Sequence, residues 1–332
     1  MKLTKKLLLC MVLASFMLSL ASVALAGPIV IKFSHVVAEN TPKGQMGIKL
    51  KELVEQRLKG KVVVEVFPNS QLFDDDKVLS AMLLGDVQLA APALSKFEKF
   101  TKQLQIYDLP FLFRDMPAID RFQHGPFGQK LLMSMKDKGI IGLGYLHNGM
   151  KQMSSNDPLK LPADAKGKKF RIMQSDVLQA QFETLGAVPL KAPFSEVFTL
   201  LQTRAIDGQE NTWSNIYSKK FHEVQPYITE TDHGVLDYML VTSTEFWEGL
   251  PADVKPVLKQ CIDESIAYNN KVSDEKSIED KKKIQESGRT TITELSDADK
   301  DKWVEAMKPV WKKFEGDIGK DMLDAAIASN KK

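Results

Sequence analysis

Residues 168–210 read KKFRIMQSDVLQAQFETLGAVPLKAPFSEVFTLLQTRAIDGQE. The pattern predicts a strand over Lys168 to Met173, a helix over Asp176 to Leu185 closed by Gly186, and a strand over Ala187 to Leu190. A helix over Ser195 to Thr203 and a strand over Ala205 to Glu210 follow. A β-α-β-α-β order implies a mostly parallel sheet with right-handed crossovers. The same grammar stands earlier in the chain. Ile29 to Ser34 reads as a strand, and Thr41-Pro42 as a cap and first-turn proline. The helix they open carries Met46, Ile48, Leu50, Leu53, Val54 and Leu58 on its apolar face and stops at Gly60. Lys61 to Phe67 is a second strand, Asp74 to Leu84 a helix ended by Gly85, and Val87 to Ala93 a third strand. Two such sets predict two α/β lobes with a cleft between them.

The C-terminal third reads as helical. From Pro251 or Pro256 to Gly288 no glycine or proline interrupts the chain, while Val257, Leu258, Cys261, Ile262, Ile266 and Ala267 form a stripe that thins to Val272, Ile278 and Ile284. About 32 residues at ~1.5 Å each would reach ~48 Å, long enough to bridge both lobes. The alternative is two helices broken near Asn269-Asn270 or Ser273. The expected division is lobe I over 27–148 plus 238–276 and lobe II over 149–237 plus 277–332, with the long helix, about 253–288, crossing both.

Composition narrows the class. The chain of 332 residues is 43% hydrophobic and 27% charged, an ordinary globular balance. Formal charge is +2, from 45 basic and 43 acidic residues, and no long run of one sign points to nucleic acid. Lys2, Lys5 and Lys6 precede the uncharged run Leu7 to Leu25, and Ala24-Leu25-Ala26 supplies a small-x-small cleavage pattern. Residues 1–26 therefore read as a signal peptide cut after Ala26, with a membrane anchor as the competing reading. Cys10 would leave with it, and Leu8-Leu9 lack the small residue that a lipid-attachment site places before its cysteine. Cys261 remains as a buried small hydrophobe.

Enzyme signatures are missing: there is no Gly-x-Ser-x-Gly, His-Glu-x-x-His, phosphate-binding loop or Cys-x-x-Cys. Gly142-Leu143-Gly144 lies inside an apolar strand-like run with no helix opening behind it. His35, His124, His147, His222 and His233 lack ligand spacing, so neither a metal nor a cofactor is expected. Polar residues at strand ends carry more. Ligands of open α/β sheets sit outside the carboxyl ends of strands, where helix N-termini favour anions. His35 follows the first strand, Ser95-Lys96 the third, and Lys151 the run ending near His147. Arg171 lies within a strand, where a guanidinium needs a partner.

Phe170-Arg171-Ile172, Phe194-Ser195-Glu196-Val197-Phe198 through Thr203, and above all Asp207-Gly208-Gln209-Glu210-Asn211-Thr212-Trp213 resemble the solute-binding proteins of tripartite ATP-independent periplasmic (TRAP) transporters. Phe33-Ser34-His35 and Leu109-Pro110-Phe111-Leu112-Phe113 extend the likeness over the mature chain, which is most similar to the C4-dicarboxylate binders of malate, succinate and fumarate. The resemblance implies a two-lobe periplasmic-binding-protein fold with central mixed sheets, hinge strands and a long helix spanning both lobes. It implies that Arg171 grips a ligand carboxylate with help from Asn211, that Phe194 packs on the ligand, and that Lys151, Lys96 and His35 tune which acid is bound.

Gln174 and His233 complete the candidate set. Each residue also has a plainer reading: Arg171 as an edge or surface residue, Asn211 as a turn, Lys151 as a solvated side chain, Phe194 as core, and Gln174 and His233 as caps or loop hydrogen bonds. Guanidinium geometry supports the first assignment independently, since two parallel N–H donors match a carboxylate bidentately. A second cation from the facing lobe, Lys96 first, would take the far carboxylate. The expectation is a monomeric periplasmic binding component, not an enzyme, that hands a small organic carboxylate to the membrane permease subunits of a TRAP transporter. The rivals are another carboxylate ligand (a 2-oxo, aromatic or sugar acid), an exported enzyme, and a sensor subunit.

Overall fold

The computed structural model describes residues 27–331; the expected signal peptide, its cleavage after Ala26, and Cys10 lie outside the described residues. Eleven strands form two sheets. The first contains β1 (Ile29–Ser34), β2 (Val62–Phe67), β3 (Leu89–Ala90) and β4 (Ile140–Met150). The second contains β5 (Gln152–Ser155), β6 (Lys169–Ile172), β7 (Val188–Lys191), β8 (Gly208–Asn211) and β9 (Tyr227–Glu230). The chain then returns to the first sheet as β10 (Val235–Ser243) and finishes the second with β11 (Thr291–Glu294). The orders are β2-β1-β3-β10-β4 and β11-β9-β5-β8-β6-β7.

Each sheet is mixed in the same way. A parallel set, β2-β1-β3 or β7-β6-β8, is extended by antiparallel pairing to a strand, β10 or β5, that the chain enters directly from the other sheet. The crossings lie side by side. Lys151 alone separates β4 from β5, residues 231–234 join β9 to β10, and the Lys151 N–H donates to the Gly234 carbonyl at 2.7 Å. These two short connections form a hinge.

The long helix runs without a break from Lys255 to Glu286. The asparagines at which it could have broken hold it to β4 instead: Asn269 Nδ2 donates to the His147 carbonyl, Asn270 Oδ1 accepts from the His147 N–H, and Asn270 Nδ2 donates to the Tyr145 carbonyl. The helix packs on Pro42–Arg57 beside the first sheet and on Trp213–Ser218 beside the second, so it spans both lobes. Cys261, on the inward face of this helix, is buried.

The observed elements depart from expectation in several places, among them the strands Tyr227–Glu230 and Val235–Ser243 in the C-terminal third read as helical. The third strand is only Leu89–Ala90, because Pro92 has no N–H to give a ladder and the chain turns there into a 3₁₀ turn. The helix expected over Ser195 to Thr203 begins as a 3₁₀ turn after Pro193 and is α-helical over Val197–Gln202. The strand expected from Ala205 starts at Gly208, after a turn in which Arg204 has φ +55°. Thr291–Glu294, read as part of a helical region, is an edge strand parallel to β9.

The C-terminal helices Pro309–Ile318 and Lys320–Ser329 return to the first half, where Val310, Phe314, Ile318 and Met322 share a core with Leu104, Tyr107, Phe113 and Phe122.

Candidate ligand-binding site

The carboxyl ends of β1 and β3 face those of β6 and β8 across a cavity between the two sheets. Val36, Val37, Ala93, Asp75, Asp76, Lys96, Leu236 and Tyr238 line it from the first sheet's side, and Arg171, Met173, Phe194, Asn211 and Asn215 from the second's. Hydrogen bonds across the cleft close it: Ser195 Oγ to Asp74 Oδ2 at 2.8 Å, Lys219 Nζ to Asn69 Oδ1 at 3.0 Å, and the Asp176 N–H to Glu98 Oε2 at 3.0 Å.

Arg171 is buried in β6 between Leu190 of β7 and Gln209 of β8. Its Nε donates to the Ala192 carbonyl at 2.9 Å, which fixes the plane of the guanidinium. Among the described residues this is its one hydrogen bond to protein, and no carboxylate lies within 4 Å of it. Burial lowers its pKa to about 10, partly opposed by Glu210 and Asp76, so it is charged at neutral pH.

Asn211 ends β8. Its Oδ1 accepts from the Thr212 N–H and from Asn215 Nδ2, which sets the amide orientation and leaves Nδ2 with no hydrogen bond among the described residues. Asn215 Oδ1 is buried without a partner. The Tyr238 hydroxyl accepts from Asn148 Nδ2 and Asn215 Nδ2, so its own proton is free to be donated. Phe194 presents its ring to Lys219 Nζ at 5.4 Å and meets Phe221 edge-on.

The structure thus brings Arg171, Asn211, Phe194 and Lys96 to one cavity. Lys96 is paired there with Asp76 at 2.6 Å. Gln174 lines a neighbouring depression with Lys96, Asp75 and Asp76. His35 is buried beside Val36, its ring 5.3 Å from that of Phe33 and both ring nitrogens without partners. Burial and Lys43 lower its pKa to about 3, which keeps the imidazole neutral.

Lys151 and His233 lie at the hinge, fully buried, where both bind Glu210. Lys151 Nζ is 2.9 Å from the carboxylate, and His233 Nε2 is 2.7 Å from Glu210 Oε2. Sequence reasoning missed Asp75, Asn215, Tyr238 and Glu210. Glu210 and Asn215 did carry a signal, one inside the quoted motif and the other one helical turn beyond Asn211; Asp75 and Tyr238 reach the cavity only through tertiary packing.

Near the hinge, Asp108 Oδ2 accepts from Ser175 Oγ at 2.7 Å across the cleft. Burial raises the Asp108 pKa to about 7, against the pull of Lys151 and Ser175. An acid whose folded pKa is raised contributes most below its unfolded value, and that contribution, up to about 4 kcal/mol, is lost as pH rises toward 7. Asp108→Asn keeps an acceptor for Ser175 without the charge. Its melting temperature should exceed that of wild type by several degrees at pH 8 and by little at pH 4; equal differences at both values would exclude this role.

A family model for "Bacterial extracellular solute-binding protein, family 7" matches residues 33–317. A "C4-dicarboxylate-binding periplasmic protein DctP" from Shewanella loihica is 65% identical over 305 residues, 92% of this chain and 91% of that protein. Among solved structures, a TRAP periplasmic solute-binding protein from Shewanella oneidensis with bound succinate is 65% identical. It superposes with a TM-score of 0.91 and covers 92% of this chain and 100% of that one. A TRAP periplasmic solute-binding protein from Pseudomonas aeruginosa with bound L-malate is 46% identical, with a TM-score of 0.84 and coverage of 86% and 100%. With two mixed sheets joined by a hinge and spanned by one long helix, and with this similarity along nearly its whole described length, the chain belongs to family 7 of the bacterial extracellular solute-binding proteins.

Proposed function

We propose that this chain captures a C4-dicarboxylate of the malate, succinate or fumarate type in the cavity between its lobes and delivers it to the membrane permease subunits of a TRAP transporter. One observation carries the reading: a buried guanidinium, charged and without a carboxylate partner among the described residues, lines the cavity between the lobes. Arg171 grips one carboxylate bidentately, Asn211 Nδ2 donates to it, Phe194 covers the ligand's carbon chain, and Lys96, His35 and Gln174 shape the far end. Lys151 and His233 act from the hinge through Glu210. A ligand that touches both lobes stabilises the closed form by its differential affinity for closed over open.

The relatives that bind succinate and L-malate support the ligand class. In this reading residues 1–26 are a signal peptide cleaved after Ala26, the mature protein is a periplasmic monomer, and the lobes divide near 148/149, 237/238 and 276/277, with the helices from Pro309 packing back on the core of lobe I. A relative from Advenella mimigardefordensis, 30% identical, is described as a sugar acid binding protein in complex with galactonate, which makes sugar acids the second class to test.

The test is a thermal-shift screen followed by calorimetry. At 100 times the dissociation constant a ligand adds about 2.7 kcal/mol of stability, a rise of several degrees. Succinate, L-malate or fumarate should give that rise. A response confined to galactonate, 2-oxo acids or aromatic acids would overturn the dicarboxylate assignment.

A further inference from the structure

Three cationic residues are almost completely buried among the described residues: Lys43, Lys151 and Arg171. Lys151 is neutralised by Glu210. Lys43 and Arg171 have no carboxylate within 4 Å among the described residues. Lys43, the second residue of the helix Pro42–Arg57, donates from Nζ to the Ala91 carbonyl at 2.7 Å and stands 3.4 Å from the centre of the Tyr238 ring. That ring lines the cavity. The two unmatched buried charges thus come one from each lobe.

An ammonium out of water with one carbonyl and one ring face is incompletely compensated. Asp75 attracts Lys43 from beyond 4 Å, but burial raises the pKa of that carboxyl. His35, neutral and with two unpartnered ring nitrogens, adjoins Lys43, and Ser34 Oγ beside it is also unpartnered. Lys96, by contrast, already has Asp76.

We propose that Lys43, rather than Lys96, supplies the second positive charge against which the far carboxylate of the ligand is held. This rests on the reading of the cavity as a dicarboxylate site. A dianion gripped by Arg171 meets one unmatched charge directly and has its far end at the wall where Lys43, itself outside the lining, sits against the Tyr238 ring, whereas a monoanion leaves the Lys43 charge unanswered. Lys43 thereby sets the preference for two carboxylates over one.

The experiment compares succinate with its monomethyl ester by calorimetry on wild type, Lys43→Gln and Lys96→Gln. Glutamine retains a donor for the Ala91 carbonyl and removes the charge. Lys43→Gln should weaken succinate binding about 100-fold while changing ester binding by less than about 3-fold, so the discrimination collapses. Equal losses for both ligands, wild-type succinate affinity, or collapse in Lys96→Gln instead would overturn the proposal.

Should Lys43→Gln not fold, wild type decides. Burial lowers the Lys43 pKa to about 8, so succinate binding measured in two buffers of different ionisation enthalpy should show proton uptake that grows from pH 7 to 9. The groups around Lys43 are His35 after β1, Asp75 from the helix Asp75–Leu83 and Tyr238 of β10, with the Lys96–Asp76 pair on the same wall and Arg171 opposite. Lys219, whose pKa burial also lowers, is removed from the balance by repeating the measurement in Lys219→Gln. No growth in uptake would overturn the proposal. A wild type that ignores succinate, malate and fumarate sinks the dicarboxylate reading together with this one; wild-type binding with unchanged discrimination in Lys43→Gln sinks only the role of Lys43.

Discussion

Arg171→Ala is expected to abolish measurable dicarboxylate binding. Removing one partner of a buried, hydrogen-bonded charge pair costs about 2–5 kcal/mol, on the order of 30- to 5,000-fold in affinity. Arg171 belongs at the upper end, because its Nε is anchored to Ala192 and the remaining donors are preorganised for a planar acid. Arg171→Lys should recover little, since an ammonium cannot reproduce two parallel donors or the anchor. The unliganded protein separates this from a structural role. A buried cation with no carboxylate within 4 Å is a burden on the fold, so Arg171→Met should melt no lower than wild type while failing to respond to succinate. A variant that melts many degrees lower yet binds normally would place Arg171 in the scaffold.

Arg171 and the β-α-β sets were legible for a common reason: both are local. Strand and helix periods are written over five to fifteen residues, and glycines such as Gly85 and Gly186, at φ +83° and +71°, stop the helices where the left-handed conformation requires them. The long helix was legible because nothing in 32 residues interrupts it. What could not be read depends on distant partners. The truncation of β3 follows from Pro92 together with the antiparallel neighbour β10, about 150 residues away in sequence. Thr291–Glu294 becomes a strand only because β9 offers an open edge. Lys43 carries no local signal that sets it apart on its helix, because its burial depends on Ala91 and Tyr238.

Lys151 illustrates the same limit within the candidate site. Its neighbours Ser154-Ser155-Asn156 suggested solvent, but the crossing of β4–β5 past β9–β10 encloses it with Glu210. A charge at that point ties the position of β8, which carries Asn211, to the two hinge connections. The position of the cavity-lining Asn211 is thereby linked to the backbone that joins the two sheets.

Glu210→Ala should consequently be among the most destabilising single changes in the chain. It leaves the Lys151 ammonium buried and unpaired and deprives His233 Nε2–H of its acceptor, while Thr231 Oγ1 still faces Nδ1 at 2.7 Å. Breaking a buried pair by removing one partner costs about 3–5 kcal/mol, and urea denaturation should show a loss of that size. Replacing both members by apolar residues, as in Lys151→Met with Glu210→Leu, should restore much of the loss, because neither charge then has to leave water. The pH dependence has a definite sign. Burial acts to raise the Glu210 pKa, but Lys151 and His233 outweigh it and hold the carboxyl at about 2. A depressed acid contributes stability above its unfolded value that is lost as pH falls toward 2, here on the order of 3 kcal/mol. Wild type should therefore weaken between about pH 4.5 and 2 more steeply than the double variant. Parallel stability curves over that interval would mean that the charge of Glu210 does not hold the hinge.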